Sequence, residues 1–162
     1  MEILKAELTD LPRIAVLAEK IWKEYYTTII SMEQINYMLE RFYSKEAMEE
    51  QFREGQQFFL LKNEEDDIGY IGFSRTAPGA YFLHKFYIDL PYHRKGLGDY
   101  FLQNTLMLNT DIQTIHLQAN RQNFRAINFY FKHGFTIEKV ADFAIGNGYY
   151  MNDFVMVRKL QP

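Results

Sequence analysis

The residues best suited to chemistry form a short loop, HRKGLG, at positions 93–98. Its two glycines, Gly96 and Gly98, stand where a strand pattern gives way to helical spacing. Glycines leave backbone N–H groups unobstructed, and together with a helix N-terminus these groups can surround a phosphate. The neighbouring Arg94 and Lys95 add positive charge. The loop therefore predicts a site for a phosphate-bearing ligand.

Two familiar phosphate-binding loops do not match this sequence. A Walker loop needs Lys and then Ser or Thr after the second glycine, whereas Asp99 follows Gly98. A dinucleotide fingerprint needs Gly or Ala three positions after Gly98, where the chain has Phe101, and it opens a fold instead of lying past its middle. Neither an NTPase nor a dinucleotide-binding protein is favoured. Taken alone, two glycines before a helix are also consistent with ordinary turn residues.

The elements that must position this loop alternate quickly between strand and helix patterns. A strand over residues 80–89 leads into the loop, and Leu97, Phe101 and Leu102 begin an apolar helical stripe after it. No repeat or linker interrupts the chain, so we predict one α/β domain over residues 1–162. The other predicted strands are 2–7, 57–62, 68–74, 112–118, 135–140 and 153–160, and the other predicted helices begin near Asp10, Ser31, Ser44 and Asn123.

The segment FLHKFYIDLPYHRKGLGDYFL, residues 82–102, resembles the strand, pyrophosphate loop and helix of the Gcn5-related N-acetyltransferases (GNAT). The loop pattern of that family is Gln or Arg, two residues, Gly, one residue, and Gly or Ala. Here His93, Gly96 and Gly98 occupy the three defined places. His93 departs from Gln or Arg, although backbone amides make most contacts in such loops.

A second segment, NFRAINFYFKHGF at residues 123–135, resembles the family's other cofactor segment, with Asn123, Ala126, Tyr130 and Gly134 at the expected intervals. The resemblance covers about residues 3–160 and implies a mixed, largely antiparallel central sheet flanked by helices, in the order β-α-α-β-β-β-α-β-α-β-β. The ending YYMNDFVMVRKL is most similar to the spermidine/spermine acetyltransferase branch.

The resemblance implies an enzyme that takes acetyl-CoA as its acetyl-donor cosubstrate. Backbone groups of Phe86, Tyr87 and Ile88 would pair with the pantetheine arm, with the Ile88 N–H facing the acetyl oxygen. Asn123 and Lys132 would hold other parts of the coenzyme, although a solvated helix lysine is an equally good interpretation of Lys132. The pyrophosphate would bind to His93, Arg94, Lys95, Gly96, Leu97 and Gly98.

Two residues are candidates for proton transfer. Tyr130 corresponds to the family tyrosine that protonates the departing thiolate, and its alternative role is core packing. The family often uses a strand glutamate as base, but residues 81–83 are Tyr, Phe and Leu. His84 shares strand parity with Phe86 and Ile88 and is the candidate base, with a surface or structural histidine as the other interpretation.

The implied acceptor is a small primary amine, such as a polyamine. Residues 1–83 hold fifteen acidic and nine basic residues, and Glu24, Glu33 and Glu40 lie in or beside predicted helices near the family's acceptor groove. Most of these charges also fit ordinary solvated helix faces. Two alternatives stay open, acetylation of a peptide or protein amine and a noncatalytic acyl-CoA-binding regulator.

Composition excludes several other functions. The chain has no cysteine, which rules out disulfides, thiolate metal sites and cysteine nucleophiles. None of the four histidines forms a pair at metal-ligand spacing on one helix, so no catalytic metal is predicted. A net charge of −3 argues against nucleic-acid binding, and short apolar stretches argue against membrane insertion, so we expect a cytoplasmic protein. The family's habits and the apolar ending FVMV favour a homodimer.

Overall fold

The computed structural model describes residues 1–160. Three helices lie between the first two strands, as the predicted helix starts near Asp10, Ser31 and Ser44 require, whereas the order implied by the family resemblance has two there. The strands are β1 (Glu2–Lys5), β2 (Gln57–Asn63), β3 (Asp66–Ala77), β4 (Ala80–Ile88), β5 (Thr114–Asn120), β6 (Thr136–Gly146) and β7 (Tyr149–Lys159). The helices are α1 (Leu11–Tyr25), α2 (Met32–Tyr43), α3 (Lys45–Arg53), α4 (Leu97–Met107) and α5 (Phe124–Lys132). None of these helices is long and apolar enough to cross a membrane.

The strands form a seven-stranded sheet in the order β1-β2-β3-β4-β5-β7-β6. The pairs β1/β2, β2/β3, β5/β7 and β6/β7 are antiparallel. Strands β4 and β5 are parallel, with register from Ala80 opposite Thr114 to Leu83 opposite Leu117. The predicted mixed, largely antiparallel sheet with flanking helices is therefore confirmed.

Local signals explain where the first helices begin. The Ser31 hydroxyl accepts a hydrogen bond from the Gln34 N–H at 3.2 Å, and the Ser44 hydroxyl accepts one from the Ala47 N–H at 3.3 Å. Each satisfies a backbone donor that the first turn of a helix leaves without an intrahelical partner. The apolar stripe of α1 is buried, including Ile14.

The prediction was wrong about the lengths of the last two strands. Residues 135–140 and 153–160 were expected to be strands, but β6 and β7 extend to a turn around Asn147 and Gly148, both with positive φ. Most residues of β6 are solvent-exposed, so its sequence lacks the alternation of apolar and polar residues that identifies a half-buried strand. Pairing with β7 decides its length instead.

The chain divides into two compact units. The first comprises Met1–Ser74 and Lys85–Thr110, and the second comprises Arg75–His84 and the chain from Asp111 onward. In the first unit the rings of Phe59 and Phe73 stack in the core. In the second, Leu117 and Met156 are fully or almost fully buried on paired strands. The single-domain organisation stays a prediction.

Candidate functional site

The glycine-bearing loop leads into a helix, as the sequence predicts. Helix α4 begins at Leu97, and Gly96 before it has φ +73°, in the left-handed region that glycine tolerates. A Cβ added at Gly96 would meet nothing within 4 Å, so this backbone faces open space. Arg94 and Lys95 are exposed beside it. Because the first turn of a helix presents N–H groups with no intrahelical partner, the loop fits a pyrophosphate.

His93, the residue that departs from the family loop pattern, reaches back to the end of β4. Its Nε2 lies 2.5 Å from the Ile88 carbonyl oxygen. Because a carbonyl oxygen only accepts hydrogen bonds, Nε2 must carry the hydrogen and donate it. The His93 ring also lies beside Tyr25 of α1, with 6.5 Å between ring centroids. This side chain therefore holds the loop against the strand that precedes it.

The end of β4 is fixed from both neighbouring elements. A Cβ at Gly69 of β3 would lie 2.9 Å from the Tyr87 carbonyl oxygen and 3.2 Å from Cγ1 of Ile88, so only glycine permits this close approach. The Phe86 ring contacts Phe101 of α4, with centroids 6.2 Å apart. Residues 86–88, which were predicted to pair with the pantetheine arm, therefore lie in a tightly packed position.

An aromatic cluster packs α1 and α2 against β3 and β4. It consists of Trp22, Tyr26, Tyr43, Tyr70 and Tyr87. The Trp22 indole donates to the Tyr70 hydroxyl at 3.2 Å, and the Tyr43 and Tyr70 hydroxyls are 2.8 Å apart. Burial raises the pKa of Tyr43 and Tyr70 well above the usual phenol value. Core packing therefore accounts for the most buried members of this aromatic region.

Sequence reasoning missed Lys85, a buried cation on β4. Its side chain is 7% exposed, and Nζ donates to Oε1 of Gln51 at 2.8 Å and Oε1 of Gln56 at 3.0 Å. Burial lowers its pKa to about 7. The available signal was strand parity, because Lys85 lies on the same face of β4 as the buried residues Tyr81 and Leu83.

In the second unit, the predicted cofactor residues of α5 have distinct environments. Asn123 is buried at the N-terminus of α5, where its Oδ1 accepts a hydrogen bond from the Ala126 N–H at 3.3 Å. This cap explains the spacing of these two residues in the sequence. Tyr130 is 8% exposed and its ring meets Phe135 edge-on at 5.4 Å. Lys132 is exposed at the last position of the helix.

The second unit also contains the candidate base and an acid that sequence reasoning missed. His84 is exposed on β4, and its ring lies 4.8 Å from that of Phe82. Asp153 of β7 is only 3% exposed, and burial raises its pKa to about 6. Strand parity with Val155 was the signal for its burial. Over residues 1–160, no group of three or more His, Asp or Glu side chains is arranged to hold a metal ion.

The structure places the predicted residues in two sets. Residues 86–88 and 93–98 lie together in the first unit, where the hydrogen bond between His93 and the Ile88 carbonyl connects the loop to the strand. His84, Asn123, Tyr130 and Lys132 belong to the second unit.

Known proteins resemble this chain in sequence and in structure. The protein-family model of the acetyltransferase (GNAT) domain matches residues 54–137 of the chain. A spermidine N(1)-acetyltransferase from Thermoplasma acidophilum is 27% identical, over 99% of this chain and 98% of that protein. A crystal structure of the PaiA N-acetyltransferase from the same organism, in complex with coenzyme A, has a TM-score of 0.82 at 27% identity and covers 98% of both chains. A GNAT protein from Rhodopseudomonas palustris has a TM-score of 0.81 at 14% identity, covering 98% of this chain and 95% of its own, and shares the fold.

Proposed function

Because the chain belongs to the GNAT acetyltransferase family, we propose that it acetylates a primary amine of a polyamine such as spermidine. The protein is an acetyl-CoA-dependent N-acetyltransferase. The observation that carries the choice of acceptor is the spermidine N(1)-acetyltransferase, whose similarity extends over nearly the full length of both chains. The acidic side chains of Glu24, Glu33 and Glu40, all exposed, suit a polycationic acceptor.

The loop at residues 93–98 holds the coenzyme pyrophosphate in this proposal. The opening turn of α4 supplies backbone N–H donors, and Arg94 and Lys95 supply positive charge. His93 does not need to contact the phosphates, because its hydrogen bond to the Ile88 carbonyl already keeps the loop in place. Asn123 and Lys132 hold other parts of the coenzyme.

Acetyl-CoA supplies a thioester whose carbonyl carbon an amine can attack, and β4 supplies the donor for its oxygen. The Asp89 N–H, directly after β4, donates a hydrogen bond to the Ile68 carbonyl oxygen of β3 at 2.8 Å. Because successive N–H groups of a strand point to opposite edges, the Ile88 N–H is directed away from β3. We assign this N–H to the acetyl oxygen, where such a donor contributes roughly 10²- to 10³-fold in rate.

Proton transfer completes the proposed reaction. Tyr130 donates its phenolic proton to the departing thiolate, a step that a positioned acid accelerates by roughly 10²- to 10⁴-fold. The Tyr130 ring is nearly completely buried and packs against Phe135, which limits its movement. His84 stays the predicted base for the acceptor amine, and its exposure leaves it accessible to an incoming substrate.

Thiol release from acetyl-CoA tests the proposal across spermidine, spermine, amino acids, aminoglycosides and peptides, with a control lacking acceptor. We expect release to depend on spermidine and to yield monoacetylated product by mass spectrometry. A marked preference for peptides would show that the acceptor is a peptide amine and not a polyamine. Coenzyme binding without release for any amine would favour a noncatalytic regulator.

The homodimer stays a prediction. The FVMV segment at residues 154–157 is explained within the chain, because Val155 and Met156 are buried. Exposed apolar residues on β6 and β7, Ile137, Val140 and Tyr150, are consistent with a dimer surface. Sedimentation velocity on the whole chain distinguishes monomer from dimer. The cytoplasmic location likewise stays part of the proposal.

A further inference from the structure

Asp153 is a buried carboxylate to which the described part of the fold supplies no hydrogen-bond donor. It is 3% exposed, yet within residues 1–160 no donor forms a hydrogen bond to its side chain. The neighbouring cation, Arg121, is engaged elsewhere. Its Nη1 donates to the carbonyl oxygens of Ala141 and Asp153 at 3.1 Å, and its Nη2 donates to Asp142 Oδ1 at 2.7 Å.

This arrangement is costly for folding, because a buried carboxylate without hydrogen bonds is less stable in its charged form than in water. Burial accordingly raises the pKa of Asp153 to about 6, an increase that Asp142 reinforces and Arg121 opposes. Lys139 of β6, opposite Val155, is a further charged group on the adjoining strand. Groups that destabilise a fold in this way are characteristic of functional sites.

Strand register places Asp153 on the same face of the sheet as the candidate base. Phe82, His116 and Val157 lie opposite one another on β4, β5 and β7. Side chains two residues apart on a strand share a face, so His84 belongs to this face, and so does Asp153, four residues from Val157. Asn120 of β5 lies directly opposite Asp153. Residues 81–83 of β4 include no acid, but Asp153 of β7 supplies a carboxylate on the same face of the sheet as His84.

We propose that Asp153 is the catalytic carboxylate that accepts a proton from the acceptor amine, in place of His84. This inference rests on the proposed acetyl transfer. The acceptor ammonium gives one proton to the Asp153 carboxylate, and the neutral nitrogen then bonds to the acetyl carbonyl carbon. The carbon–sulfur bond breaks with its electron pair on sulfur, which takes a proton from Tyr130. The nitrogen's second proton replaces the one lost by Tyr130, and Asp153 releases its proton to water.

The pH dependence of kcat/KM for the best acceptor from the thiol-release panel tests this role. Four proteins are compared from pH 5 to 9: the unchanged chain, Asp153→Asn, His84→Gln and the control Glu138→Gln. Glu138 is an exposed carboxylate that pairs with His116 at 2.9 Å. We expect the unchanged chain and the control to lose activity below about pH 6, following the pKa of Asp153. Asp153→Asn should lower kcat/KM by roughly 10²- to 10⁴-fold and abolish this acidic limb.

Two further measurements separate a catalytic role from a structural one. Asp153→Asn should bind acetyl-CoA as the unchanged chain does, and above pH 6 it should melt at a higher temperature because it buries no charge. A variant within twofold of the unchanged kcat/KM that keeps the acidic limb would overturn the proposal, as would loss of that limb in His84→Gln alone. If the unchanged chain does not acetylate spermidine, the proposed acceptor is wrong. The role of Asp153 is then tested with the best acceptor from the panel.

Discussion

Replacing Lys85 with methionine should remove a rise in stability that the unchanged protein shows between pH 7 and 9.5. Lys85 is buried among Gln51, Gln56, Tyr43 and Phe58, with no carboxylate among its hydrogen-bond partners in residues 1–160. Its pKa is lowered from 10.5 to about 7 by burial. In the unfolded chain the same amine is solvated and keeps its ordinary pKa.

The sign and size of the pH effect on stability follow from this difference between the folded and unfolded pKa of Lys85. Between pH 7 and 10.5 the unfolded state binds a proton at Lys85 that the folded state lacks, so the free energy of unfolding increases with pH. The slope approaches about 1.4 kcal/mol per pH unit, which amounts to about 3 kcal/mol between pH 7 and 9.5. Above pH 10 the raised pKa values of Tyr43 and Tyr70 act in the opposite direction, because the unfolded phenols lose their protons first.

Urea denaturation at pH 7.0, 8.0, 9.0 and 9.5 measures this slope in the unchanged chain, in Lys85→Met and in Lys45→Met, an exposed lysine that serves as the control. We expect the slope in the unchanged chain and in the control, and a nearly flat profile in Lys85→Met. The absolute stability of Lys85→Met is a separate matter, since it leaves the Gln51 and Gln56 carbonyls without their partner. Equal slopes in the unchanged chain and Lys85→Met would refute the argument.

Substitutions at three other positions test the proposed site. Tyr130→Phe should leave the Kd for acetyl-CoA nearly unchanged while lowering kcat by roughly 10²- to 10⁴-fold, and unchanged single-turnover rates would remove Tyr130 from the mechanism. His93→Gln, which can still donate to the Ile88 carbonyl, should retain coenzyme affinity in calorimetry, whereas His93→Leu should weaken it by about tenfold through the loss of roughly one hydrogen bond. Gly69→Ala should lower both melting temperature and kcat/KM, because its Cβ would lie 2.9 Å from the Tyr87 carbonyl oxygen. Normal values of both quantities would show that β4 tolerates displacement there.

The sequence was sufficient wherever structure depends on neighbours along the chain. Ser31 and Ser44 cap helices through hydrogen bonds from residues three positions later, and helix α4 follows the glycine loop. The prediction was wrong about the length of β6, because that length depends on pairing with a strand later in the sequence. Hydrogen bonding between distant segments leaves little trace in either segment alone.

The same distinction applies to the site. The sequence by itself determined the family, the acetyl donor and the loop at residues 93–98, because a loop, its glycines and the helix after it are contiguous. Only the tertiary structure decided that His93 contacts the Ile88 carbonyl and that Lys85 and Asp153 are buried. Burial and its effect on pKa depend on which side chains from other strands and helices surround a group. That environment is assembled from residues far apart in the chain, and residue type alone does not specify it.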